Sequence, residues 1–182
     1  MVYIILGTGF EEIEAIAPGD ILRRAQIPMQ YAGIGGKVVE GAHGIRVEAD
    51  ITVEEMDLSK MDMIVLPGGS GGVASIEADE TAMAAVEYAL AHDIYVATIC
   101  AAPTILGKRG YLDGKHAVCY PGMENGMGKA VMHPDREAVV DGKIITGRAP
   151  GAAIEFGLML AGMLPNQFSP DEVANYMVYD RR

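Results

Sequence analysis

The stretch VATICAAPTILG, residues 96–107, decides how this chain is read. Its first half is apolar and β-branched, its second half is helix-forming, and a lone cysteine, Cys100, stands where one gives way to the other. Cys100 is either a small apolar residue filling a core or a thiol on a strand-to-helix turn, aimed at a pocket. A nucleophile on such a turn is held exposed on a strained backbone. The following helix directs free N–H groups and the positive end of its dipole at the sulfur. That setting lowers a thiol pKa from about 8.5 into the range of roughly 4–7, so thiolate is present at neutral pH.

Outward from this stretch, strand-like and helix-like segments alternate along the chain. Residues 2–6 (VYIIL) read as a buried strand, and residues 11–25 as a helix with Ile13, Ile16, Ala17, Ile21 and Leu22 on one face. Pro18 inside that helix implies a kink or a late start. Residues 29–34 read as a second strand, and residues 37–51 as a hairpin turning near Gly41–Gly44. Residues 61–69 (MDMIVLPGG) form a buried strand running into glycines, and residues 78–93 an Ala-rich helix with acids in its first turn. Residues 94–99 are the next strand, followed by Cys100 and a helix from about Ala102 to Arg109. Later strands are expected at 116–120 and 143–147, and closing helices at 151–164 and 170–179. Such alternation predicts an α/β doubly wound fold: a mostly parallel sheet with helices on both faces. The 182 residues are expected to form a single domain spanning 1–182.

Charge and composition exclude several functions. The formal net charge is −11, and the 14 Lys and Arg are scattered, so no nucleic-acid surface is expected. The N-terminal apolar run is short and ends in glycine and acids, which suits a first strand rather than a signal peptide. No segment is continuous enough to span a membrane, so a cytoplasmic address is expected. Two cysteines, Cys100 and Cys119, make no disulfide framework and are expected to stay reduced there.

In doubly wound folds the reactive crevice lies beyond the carboxyl ends of the strands. Three loops should converge there: GTGFEEIE after the first strand, PGGSGG after the MIVL strand, and Cys100 itself. Glu14, just inside the first helix, is the candidate proton-transfer partner, because a carboxyl pushed into an apolar pocket holds its proton more tightly. It is alternatively one more acid favoured by a helix N-terminus, as Glu11 and Glu12 are read. Gly68 and Gly69 offer backbone N–H groups to the pocket, with Gly69 and Ala101 as candidate oxyanion donors. A plain Gly-rich turn is the other reading of that loop. PGGSGG lacks the Lys-Ser/Thr ending of a phosphate loop, and the dinucleotide fingerprint fails at Glu12. His43, His92, His116 and His133 show no metal spacing, so no metal site is expected. His133 and Arg148 are candidates for supporting positions around Cys100.

GFEEIEAIAPGDILRRA, DMIVLPGG, ATICAAPTIL and IITGRAPGAAIEFGL together resemble the ThiJ/PfpI family, in its order and spacing and nearly end to end. The nearest branch is the one holding the Parkinson's-disease-associated deglycase and its bacterial relatives. The resemblance implies a flavodoxin-like sandwich and a homodimer. It places Cys100 on the family's elbow cysteine, Glu14 on the protonated glutamate beside it, and Gly69 and Ala101 on the pocket amides. Protease-like members carry histidine right after the cysteine, where this chain has Ala101, and the branch's downstream pocket histidine falls near Ala130. A peptidase triad is therefore not expected. The function implied is cofactor-free chemistry on 2-oxoaldehydes such as methylglyoxal, free or as early adducts on proteins. The alternatives are a redox sensor or stress chaperone acting through oxidation of Cys100, or thiazole biosynthesis, for which no phosphate site is visible. The dimer is expected to use the first helix around Pro18, Asp20 and Arg24.

Overall fold

The computed structural model describes residues 1–181. Its main sheet has seven strands. Five were expected: β1 (Val2–Leu6), β2 (Met29–Gly33), β6 (Met63–Leu66), β7 (Tyr95–Ile99) and β11 (Ile144–Gly147). Between β2 and β6 lie β3 (Val38–Glu40) and β4 (Arg46–Glu48), paired antiparallel as the expected hairpin, and β5 (Ile51–Thr52). The two remaining short strands, β8 (His116–Ala117) and β9 (Val131–Met132), pair with each other, and β10 (Ala138–Asp141) precedes β11.

The sheet order is β10-β11-β7-β6-β1-β2-β5, parallel throughout except for the edge strand β10. β1, β6 and β11 are buried at every position, as strands covered on both faces must be. The helices are α1 (Glu12–Arg24), α2 (Ser70–Ala78), α3 (Glu80–Ala91), α4 (Pro103–Gly107), α5 (Ala153–Gly162) and α6 (Pro170–Tyr176). α1 packs on α5 over one face, and α3 lies over β6 and β7. The chain leaves β1 toward β2 but runs the other way from β6 to β7. The switch point therefore falls between β1 and β6, where the crevice of such a sheet opens. Among the described residues, no helix is long and apolar enough to cross a membrane.

Three expectations need correction. The 116–120 strand shortens to His116–Ala117 and stays out of the main sheet, because the Val118 N–H is taken by the Thr146 hydroxyl at 3.0 Å rather than by a strand. α1 runs unbroken through Pro18, and its buried residues include Ala15, Pro18, Gly19, Ile21 and Leu22. Ile13 and Ile16 therefore point outward, 53% and 38% exposed. Finally, the segment read as a turn after PGG becomes helix α2. Its glycines serve close approach rather than flexibility: a Cβ on Gly72 would come within 2.7 Å of the Phe10 Cα.

Candidate active site

β7 delivers Cys100 to the crevice, and two neighbours hold its backbone there. Its N–H donates to the Gly147 carbonyl at 2.9 Å, and its carbonyl accepts from the Tyr120 N–H at 2.8 Å. Between these anchors Cys100 adopts φ +65°, a left-handed conformation that costs a non-glycine residue about 1–2 kcal/mol. The turn is the strained elbow expected of a nucleophile. It leaves Cys100 only 8% exposed.

Glu14 reaches the thiol from α1, one helical turn after the loop that follows β1. Its side chain is fully buried. Oε2 accepts the Gly68 N–H at 2.8 Å, while Oε1 has no hydrogen-bond partner. Burial pushes the Glu14 carboxyl up to about 7; the Cys100 thiol and the Gly68 N–H pull the other way, and the Glu11 charge adds to the rise. Glu14 is thus no ordinary first-turn acid. Gly68 spends its N–H on Glu14, so it positions the carboxyl instead of offering a donor to the pocket.

The thiol itself departs from expectation. Burial, then the charge and hydrogen-bonding carboxylate of Glu14, push Cys100 up to about 12, against the backbone N–H groups of Gly69 and Ala101 that favour the thiolate. The α4 helix behind it has only five residues, so its dipole adds little. A carboxylate and a thiolate this close cannot both be charged cheaply, and the pair shares a proton. With Glu14 at about 7 and Cys100 at about 12, the carboxyl gives up its proton first and the thiol keeps its own.

Gly68 leaves no room at this junction: a Cβ there would sit 2.6 Å from Glu14 Oε2 and 2.7 Å from the Cys100 Cβ. Gly68→Ala is expected to cost about 1–3 kcal/mol and to push Glu14 off the thiol. A melting temperature and an alkylation rate both equal to the parent's would refute this.

The remaining sequence candidates lie elsewhere. His133 does not face Cys100; its Nε2 meets His116 Nδ1 at 2.6 Å, beside the β8–β9 ribbon. Cys119 is buried with its thiol directed at the Tyr120 carbonyl at 3.5 Å, and burial pushes it up to about 11. Arg148 follows Gly147 and lines a cavity of about 370 Å³ with Tyr120, Pro121, Glu137 and Ala152. A second cavity, about 350 Å³, is lined by Ala101, Ser70, Val73, Thr104 and the Glu77 and Lys108 side chains.

One cluster could not be found from spacing. The adjacent Glu11 and Glu12 and the distant His43 bring ligand-type atoms within 4.8 Å of one another. Both Glu12 oxygens are already engaged, by the His43 N–H at 2.7 Å and by His43 Nδ1 at 2.8 Å, so Glu12 ties the β3–β4 turn to α1. This bond holds His43 above its ordinary 6.5. The contribution is complete below about pH 6.5 and is lost as pH rises through the higher folded-state value. Protection of the amides in residues 41–45, with the intrinsic base-catalysed rate divided out, is expected to fall over that interval, and a His43→Gln variant should lose that fall. Equal exchange behaviour in the two chains would argue against the tie.

Comparison with known proteins finds relatives over most of the chain. Residues 1–163 match the model of the DJ-1/PfpI family. Protein dj-1beta of Drosophila melanogaster is 36% identical over 173 residues, covering 94% of this chain and 92% of that one. Its crystal structure superposes with a TM-score of 0.92 at 33% identity, over 99% and 98% of the two chains. Deglycase PfpI of Pyrococcus furiosus is 34% identical over 143 residues, 78% of this chain and 86% of the relative. The structure of oxidized Toxoplasma gondii DJ-1 gives a TM-score of 0.91 at 30% identity, over 99% and 98%.

Proposed function

The chain belongs to the DJ-1/PfpI family, and we propose that it is a cofactor-independent cytoplasmic enzyme of the deglycase and glyoxalase type, using Cys100 as nucleophile and Glu14 as proton carrier. The observation that carries this reading is the buried Glu14 carboxyl, held by Gly68 against Cys100 with Oε1 free and its affinity for protons raised to about 7. A carboxyl tuned to that value can both take and return a proton at neutral pH. Relatives named deglycase lend it support.

The chemistry would run as follows. The Cys100 sulfur bonds to the aldehyde carbon of methylglyoxal, and the carbonyl oxygen takes a proton to give a hemithioacetal. The backbone N–H groups of Gly69 and Ala101, directed at the sulfur, are suited to the developing oxyanion. Glu14 then removes the proton from the former aldehyde carbon and returns one to the adjacent carbon, leaving a lactoyl thioester. Water cleaves that ester to lactate and frees the sulfur. On a glycated protein the same attack would release the amine. The test is turnover of methylglyoxal in D₂O, followed by NMR. Proton transfer through an exchanging Glu14 puts deuterium on C2 of lactate; turnover undiminished in Glu14→Gln would remove Glu14 from that step.

A second reading has its own observation. A thiol beside two N–H donors can also be oxidised to a sulfinate that those donors would stabilise, and an oxidized relative of known structure shares the fold. Stoichiometry separates the two, since a sensor consumes peroxide once per thiol and does not cycle. For assembly, a homodimer is proposed through Ile13 and Ile16, the exposed apolar residues of α1, flanked by the Asp20–Arg24 ion pair at 2.7 Å. Pro18 is buried and drops out of that surface. Light scattering should give about twice the 19.3 kDa chain mass, and Ile13→Glu with Ile16→Glu should return the monomer. A monomeric parent would sink the proposal.

A further inference from the structure

Arg148 stands out among the cations of this protein. Its backbone N–H bonds the Glu137 carbonyl at 2.9 Å, and the residue is partly buried, but its guanidinium has no hydrogen bond or ion pair with any described residue. A guanidinium left without an acceptor at a cavity wall is available to an incoming anion. Its place is fixed by the sheet. Gly147 pairs with Ile99, so Arg148 follows directly opposite Cys100, about 5 Å away backbone to backbone. The cavity it lines is bounded by Tyr120, whose N–H holds the Cys100 carbonyl, and by Ala149, Gly151 and Ala152 at the start of α5. That ten-residue helix has no side-chain cap at its N-terminus, so the positive end of its dipole adds to the field. The opposing charges are Glu137, an exposed carboxylate on the cavity rim, and Glu155 in the first turn of α5, which is paired with Arg181.

Resting on the enzymatic reading above, we propose that Arg148 forms a subsite for a substrate carboxylate, so that the enzyme prefers 2-oxoaldehydes carrying a carboxylate at the end away from the aldehyde. The register alone brings the two residues level, so a substrate held at the Cys100 sulfur would need a few further atoms to meet the Arg148 side chain. Methylglyoxal is too short to use it. Arg148 acts here as a specificity residue and takes no part in bond making.

The probe is 4,5-dioxopentanoate, a 2-oxoaldehyde ending in a carboxylate, compared with methylglyoxal. The ratio of their kcat/KM values is expected to fall roughly 10- to 100-fold in Arg148→Gln, the worth of a charged hydrogen bond. The loss should appear mainly in KM, with Arg148→Lys recovering part of it. Glu137→Gln should move the ratio the other way by removing a repelling charge. An unchanged ratio in Arg148→Gln overturns the proposal. A second readout needs no turnover: glutarate, titrated into the parent chain and followed by amide NMR, should shift Tyr120, Arg148 and Ala152 saturably, and these shifts should vanish in Arg148→Gln. If neither aldehyde turns over yet glutarate binds there, the anion subsite stands and the enzymatic reading falls. No shifts in the parent overturn the subsite whatever the kinetics.

Discussion

Glu14→Gln is expected to lower methylglyoxal turnover by about 10²- to 10⁴-fold, the usual worth of a positioned general acid–base, and at the same time to make the protein more stable at neutral pH. The two effects have one cause. The amide keeps the shape of the carboxyl and can still accept the Gly68 N–H, but it cannot take up or return a proton. For stability the sign follows from the direction of the shift. The folded chain holds the Glu14 proton to about pH 7, whereas the free side chain lets it go near 4.5. A raised carboxyl favours the folded state fully below the lower value and loses that advantage as pH climbs to the higher. Above it, the parent carries a buried carboxylate costing on the order of 3 kcal/mol, at about 1.4 kcal/mol per tenfold change in proton affinity. Gln carries no such cost. Melting curves of parent and variant should nearly coincide around pH 5 and separate progressively toward pH 8. Parallel curves across that range would show that Glu14 is not the buried acid described here, and undiminished turnover would remove it from catalysis.

Cys100→Ala should reduce turnover to the level of buffer alone, because the proposed covalent step runs through the Cys100 sulfur. Cys119 cannot substitute, being buried with its thiol directed at the Tyr120 carbonyl, so Cys119→Ala should keep nearly full activity. Alanine retains the Cβ and with it the unfavourable φ of +65°, so the fold should be little changed in stability. Cys100→Gly relieves that strain and should be more stable than Cys100→Ala by roughly 1 kcal/mol. A Cys100→Gly chain less stable than Cys100→Ala would mean the elbow is not strained. Deuterated lactate from either variant would mean that the nucleophile has been misassigned.

The sequence went far toward this site because its local signals agree with one another. An apolar run ending at a lone cysteine, a glycine pair after another buried strand, and acids after the first strand all fall on one sheet edge once the strands are parallel. Other parts were illegible for physical reasons. PGGSGG has the composition of a turn, and only the closeness of Phe10 explains why glycines there build a helix. The tie between Glu12 and His43 spans a hairpin, so no spacing rule reaches it. His133 could be read as a partner for Cys100 or as a solvated loop histidine, and its position depends on a two-residue ribbon outside the main sheet.

What the sequence by itself determined was the order of the main strands and helices and the α/β class. Those follow from periodicity, a local property; Cys100, Glu14, Gly69 and Ala101 it offered only as candidates for the crevice, from the place of loops at strand ends and from the family resemblance. The tertiary structure alone decided the chemical state of the pair. Whether a thiol is lowered by a helix or raised by burial beside a carboxyl depends on solvent removed by distant segments, here α1 and the loop after β6 closing over Cys100. It also decided that Arg148 stands unpaired beside the nucleophile, since a charge finds or lacks a partner only in the folded arrangement of strands.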